Sequence, residues 1–143
     1  MSEENVEIVR RSYEALPEAL SSGSADSWLE FFDPEVEWIP PPAWAALEVG
    51  DHAEAQVLHG HAGIRRFLEK TGEMWDEQEV EPERFLDAGD RVLVLVRLRV
   101  RGRDGVELDE PWAHLITLRN GKVTRMELYP DRSEALEAAG LSE

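Results

Sequence analysis

RVLVLVRLRVRGRDGVELDEPWAHLITLRNGKVTRMELY, residues 91–129, reads as three strands in a row: Arg91 to Arg103, Val106 to Arg119 and Lys122 to Tyr129. Asp104-Gly105 and Asn120-Gly121 separate them, and both pairs suit the positive φ angles of a two-residue type I′ hairpin. Pairing Arg103 with Val106 and Arg119 with Lys122 sorts the side chains onto two faces. One collects Val92, Val94, Val96, Leu98, Ala113, Leu115, Thr117, Thr124, Met126 and Leu128. The other collects Leu93, Leu95, Arg97, Arg99, Glu110, Trp112, His114, Ile116, Arg125, Glu127 and Tyr129. The first face is almost purely apolar, so it is expected to lie under helices.

Upstream, Val6, Val9, Tyr13, Leu16 and Leu20 make one helical stripe, with Ser2 as a candidate cap and Glu3 and Glu4 in the favoured first turn. Pro17 predicts a kink or break near Leu16. Ser24 can cap a short helix burying Trp28, Leu29 and Phe32, which Asp33-Pro34 ends. Val36 to Ile39 reads as a strand stopped by Pro40-Pro41-Pro42, and Ala43 to Leu58 has no clear pattern. A third helix is predicted from His61 or Ala62 to Trp75, a strand from Gln78 to Leu86, and a helix from Ser133 to Ala139 closed by Gly140. Strands grouped after helices point to an α+β fold with five antiparallel strands.

The chain has 143 residues, 42% of them hydrophobic, enough for one domain with a real core, read here as spanning residues 1–143. A formal charge of −16 disfavours nucleic acid and anionic membranes as partners. With no cysteine there is no disulfide, thiolate metal site or cysteine nucleophile. Met1 to Asn5 is acidic and polar where a signal peptide would be basic and then apolar, so a cytoplasmic protein is expected.

Four segments carry a family resemblance: Val9-Arg10-Arg11-Ser12-Tyr13, Phe32-Asp33-Pro34-Glu35-Val36-Glu37-Trp38, His59-Gly60-His61-Ala62-Gly63-Ile64-Arg65-Arg66-Phe67, and Gly121-Lys122-Val123 through Tyr129-Pro130-Asp131. The chain resembles the SnoaL-like and ketosteroid isomerase-like group of the nuclear transport factor 2-like cone fold, also described as cystatin-like. The resemblance implies a curved sheet wrapped over helices, a pocket in the mouth of the cone, and a homodimer through the outer sheet face. The isomerases use a helix-borne Tyr and a strand Asp as oxyanion donors and a second Asp as base. Tyr13 matches the Tyr, but Trp38 stands where the base would be and Ala113 where the donor Asp would be. Leu128 replaces the acid of the epoxide-hydrolase relatives, while Asp131 is similar to the acid used by polyketide cyclases.

These readings give three function classes. The first is a binder of a small apolar ligand, with a pocket lined by Tyr13, Trp38, Trp44, Val94, Val96, Ala113, Leu115, Met126 and Leu128. The second is a cofactor-independent isomerase, cyclase or hydratase using Tyr13, Glu83 and Asp131. The third is a dimeric interaction module whose cone is filled by its own side chains. Leu93, Leu95, Trp112, His114, Ile116 and Glu127 are assigned to a dimer face, with His114 and Glu127 as a cross-strand pair. Arg97 beside Trp112 and Arg99 beside Glu110 read as packing on that face. An Ala88-Gly89 turn would set Glu81 and Glu83 against Val96 and Val94 on the lining face, and a one-residue shift would send both to solvent. His52, Glu54, His59 and His61 have donor types that could hold a metal, but ordinary loop histidines before a helix explain them, so neither a metal nor a cofactor is expected.

Overall fold

The computed structural model describes residues 2–22, 25–40, 57–102 and 104–141. The first helix, α1 (Ser2–Ser22), buries Val9, Tyr13, Leu16 and Ala19 along one side and runs through Pro17 without ending. Pro17 lacks the N–H that would bond the Tyr13 carbonyl, a loss that costs on the order of 3 kcal/mol in a helix interior. Leu16, Ala19 and Leu20 still pack against the core, and that packing overrides the local penalty. The expected break at Leu16 is therefore absent. Next come α2 (Asp26–Leu29), β1 (Phe32–Ile39), β2 (Leu58–His59) and α3 (Gly60–Met74). They are followed by β3 (Trp75–Ala88), β4 (Arg91–Gly102), β5 (Glu107–Arg119), β6 (Lys122–Tyr129) and α4 (Arg132–Ala139). The proposed Ser24 cap and the patternless stretch through residue 56 lie outside the described residues. No helix among the described residues is long and apolar enough to cross a membrane.

The strands form one mixed sheet in the order β2-β1-β6-β5-β4-β3. It has six strands, because Leu58 and His59 add a short edge, and it is not wholly antiparallel, because β1 runs parallel to β6. Extra residues at Asp76, Glu83 and Thr124 interrupt the ladders; bulges of this kind bend a strand and sharpen its twist, and the sheet curves around α1 and α3. On the concave side the core gathers Trp28, Phe32, Trp38, Phe67, Val94, Val96, Trp112, Ile116 and Met126. On the convex side α4 lays Ala135, Leu136 and Ala139 over Leu93, Ala113 and Leu115.

The predicted register of β4 against β5 is wrong by one residue. The Gly102 N–H bonds the Val106 carbonyl, so three residues separate the closing pair rather than two, with Gly105 at φ 87° in the left-handed conformation that only glycine adopts freely. Val94 consequently faces His114, and Val96 faces Trp112. The Asn120-Gly121 turn forms as expected, with Asn120 and Gly121 at φ 53° and 78°. Thr124 then adds a residue to β6, so that Ile116 meets Met126 and His114 meets Leu128. The two one-residue shifts cancel for β4 against β6 and leave β5 alone turned over.

The last helix is set by its caps. The Asp131 carboxylate accepts from the Ser133 hydroxyl at 2.6 Å and from the backbone N–H groups of Ser133 and Glu134, while Gly140 closes the other end at φ 73°. Those bonds, led by the Ser133 hydroxyl, hold the Asp131 carboxyl below its ordinary value. A depressed carboxyl stabilises the fold above its ordinary pKa and loses that contribution as pH falls through the folded value. Asp131→Ala is therefore expected to lower the melting temperature at neutral pH. The difference from the native chain should hold while the pH stays above the ordinary aspartate value of about 4 and shrink as pH falls through the lower folded value, as followed by circular dichroism.

Candidate functional site

At the centre of the cone, between α1 and β5, the Tyr13 hydroxyl lies 2.5 Å from His114 Nδ1. Both side chains are buried, and their rings lie nearly parallel at 16° with centroids 5.9 Å apart. Phe85 meets Tyr13 edge-on, with ring centroids 6.0 Å apart. Burial pushes the Tyr13 hydroxyl well above its ordinary pKa and pulls the His114 imidazole down to about 3. The pair is thus a neutral phenol and a neutral imidazole. We assign the hydroxyl as donor to Nδ1, which places the imidazole proton on Nε2.

His114 is part of the wall of a cavity of about 60 Å³. The rest of that wall is mostly apolar: Leu16, Leu20, Trp28, Trp38, Phe67, Leu68, Val80, Val96, Leu98, Trp112, Met126 and Leu128, with Thr71 and Gln78 adding polar atoms. Trp28, Trp38 and Phe67 contact one another with centroids 5.2 to 5.7 Å apart along the chain of rings. The Trp38 indole N–H is buried and finds no acceptor among the described residues. Among the described residues, His114 is the one ionisable side chain in this wall. The cavity therefore presents hydrogen-bond donors to an apolar room without presenting a charge.

The register shift moves several residues from their expected places. Trp112, His114 and Ile116 are not on an outer dimer face; they point into the cone. Ala113 and Leu115 do not line the cavity; they lie with Leu93 and Leu95 on the convex side under α4. The apolar outer patch expected from Leu93, Leu95, Trp112 and Ile116 is thereby removed. His114 pairs with Tyr13 and not with Glu127, which instead accepts from the Tyr129 hydroxyl and faces Arg125. Trp38, Val96, Met126 and Leu128 line the cavity, while Val94 is buried beside Phe85 just outside it. Arg97 and Arg99 form ion pairs with Asp109 rather than packing on Trp112 and Glu110. Thr117 and Thr124 line a shallow hollow with Glu37, His59 and Arg125. Trp44, His52 and Glu54 lie outside the described residues.

Neither candidate carboxylate reaches the cavity. Glycine at 89 and Asp90 make the β3–β4 turn, so Glu81 faces Arg97, and Glu83 becomes the extra residue of a bulge. Glu83 accepts from Arg132 at 2.5 Å, and the same guanidinium bonds the carbonyls of Val96 and Trp112. Asp131 caps α4. His61 donates from Nε2 to the Phe32 carbonyl at 2.9 Å and His59 is exposed; no cluster of three His, Asp or Glu among the described residues could hold a metal.

A family model described as a SnoaL-like domain matches residues 9–126. The chain belongs to the SnoaL-like family. This SnoaL-like chain is similar to TerC, solved with polyporic acid, at 28% identity and a TM-score of 0.76, covering 96% of this chain and 98% of that one. It is similar to a nuclear transport factor 2-like protein from Burkholderia xenovorans at 30% identity and a TM-score of 0.66, covering 97% of each. A third, from Burkholderia pseudomallei and of unknown function, shares 26% identity at a TM-score of 0.76, covering 96% of this chain and 97% of that one. No curated protein matches the sequence.

The neutral His114 of this SnoaL-like chain has a consequence for stability. Its folded pKa of about 3 lies below the ordinary histidine value, so the unfolded chain takes up the proton first and stability falls as pH drops from about 6.5 towards 3. The full slope from one such group is on the order of 1.4 kcal/mol per pH unit. Urea unfolding of the native chain and of His114→Gln between pH 7 and pH 4.5 should show a steeper acid loss in the native chain. Equal slopes would mean that His114 is not held neutral.

Proposed function

We propose that the protein binds a mainly apolar molecule carrying at least one oxygen acceptor, which reaches past the tryptophans with that oxygen on His114 Nε2–H while the rest of its body extends beyond the cavity of about 60 Å³. The observation that carries this reading is the Tyr13 bond to His114 Nδ1, which fixes the imidazole so that its remaining nitrogen is a donor in a mostly apolar wall. The Trp38 indole N–H supplies a second donor in the same wall. A buried donor left without an acceptor costs about 1–3 kcal/mol, a cost that a ligand oxygen would relieve. TerC was crystallised with polyporic acid, so that compound is the first probe for this chain.

Acid/base catalysis is the second reading, and one observation favours it: a neutral imidazole can polarise a carbonyl and pass a proton from Nε2. Among the described residues no carboxylate lines the cavity to act as its partner base, and Glu83 and Asp131 are engaged at α4. Binding without chemistry is therefore the better account.

Titration with polyporic acid should quench the emission of the tryptophans around the cavity. His114→Leu, which keeps the volume and removes the donor, should weaken binding roughly tenfold, the worth of one hydrogen bond of about 1.4 kcal/mol. Tyr13→Phe should weaken it less, because Nε2 remains while its orientation is lost. Absence of quenching by polyporic acid and by simple aromatic ketones would leave the interior a filled core and the binding reading wrong.

A further inference from the structure

A cavity of about 60 Å³ is far smaller than the roughly 300–1,000 Å³ of ordinary ligand pockets, so a ligand of ordinary size cannot be housed by it alone and must also occupy a neighbouring space. Such a space exists. An open groove of about 900 Å³ runs between the second half of α1 and the outer ends of β3, β4 and β5. Its wall includes Tyr13, Pro17, Leu20, Gln78, Val80 and Leu108. Leu20, Gln78 and Val80 belong to the wall of the groove and to the wall of the cavity at once. A further hollow of about 500 Å³, between α1 and α3, also reaches Leu20 and Gln78. The partition between the inner space and solvent is thus one side chain thick at these residues, and all three are only half-buried.

We infer that the groove is the vestibule of the cavity, and that Leu20, Gln78 and Val80 form the neck through which a ligand passes. The inference rests on the small-molecule reading and adds the route. Two features make this the weak point of the wall. Gln78 is held through Nε2 to the Thr71 hydroxyl at 3.4 Å, a long bond that releases cheaply. Leu20 sits one turn beyond Pro17, where α1 has lost the backbone bond to the Tyr13 carbonyl. Swinging the Gln78 amide and the Leu20 isobutyl group aside joins the two spaces without moving a strand. Gln78 is also the polar group that a ligand meets at the narrowest point, so its amide selects among ligands by their hydrogen-bonding groups there.

Acrylamide quenching of tryptophan tests the route without any cognate ligand. In a background of Trp44→Phe and Trp75→Phe, emission comes from Trp28, Trp38 and Trp112, all buried in the cavity wall. Leu20→Ala and Gln78→Ala should each raise the quenching constant roughly twofold or more, the effect of a small drop in the cost of opening. Ile8→Ala, at the other end of α1 and partly buried in the same way, should leave it unchanged. Constants unaltered in both neck variants, or raised equally by Ile8→Ala, would overturn the route. If Leu20→Ala fails to fold, the exposed-side substitution Gln78→Ala decides alone. Failure of polyporic acid to bind would sink the small-molecule reading and leave the quenching result standing.

Discussion

Everything in the interior depends on the pairing of Gly102 with Val106 across a three-residue turn. Because side chains alternate along a strand, one residue more or less in that turn exchanges the two faces of β5. With three residues, Trp112, His114 and Ile116 enter the cone, and Ala113 and Leu115 go under α4. With two, the imidazole would sit on the convex side and Tyr13 would have a buried hydroxyl with no imidazole to bond. The turn and the hydrogen bond of Tyr13 to His114 therefore specify each other, one locally and one through the core.

Although the chain carries a formal charge of −16, the buried polar side chains among the described residues are Ser12, Thr71 and His114. The acidic residues on β3 and β5 are met by Arg97, Arg99 and Arg101 on the exposed side of the sheet, with Arg99 shared among Glu79, Glu81 and Asp109. Exposed pairs of this kind contribute little stability each, but they let long acidic strands lie side by side. Inside, among the described residues, polarity is supplied by hydrogen-bonding groups such as Tyr13 and His114. Arg132 joins the two regions, since its guanidinium bonds the carbonyls of Val96 and Trp112, whose side chains line the cavity, and the exposed Glu83.

Much of the fold was legible because its signals are local and strong. The apolar stripe from Val9 to Leu20, the Asn120-Gly121 turn and the Gly140 stop each appear in the structure as read. The site was less legible, because it depends on counts that a turn motif does not settle. Asp104-Gly105 fits a two-residue hairpin, and equally a three-residue one with Gly105 left-handed; the bulge at Thr124 leaves no mark in composition. A signal was nonetheless present. Ala135, Leu136 and Ala139 need an apolar surface to cover, and the small side chain of Ala113 beside Leu93 and Leu115 suits a helix lying close to the sheet. Asking which face of β5 could accept α4 would have turned His114 inward. Pro17 misled for the opposite reason, since a local penalty was outweighed by contacts far away in sequence.

The parallel pairing of β1 with β6 sets the order in which the molecule can be completed. Trp38 lies opposite Met126, and Glu37 bonds Arg125 at 3.2 Å, so the second half of the cone is joined to the first across nearly ninety positions of chain. During synthesis β1 leaves the ribosome with one long side of its backbone unmatched, and it stays so until residues 122–129 have followed. Closing so large a loop makes folding slow compared with a helical domain of the same length. The aromatic cluster that the site uses is thus also a surface that the nascent chain must keep from other molecules until its last strand arrives.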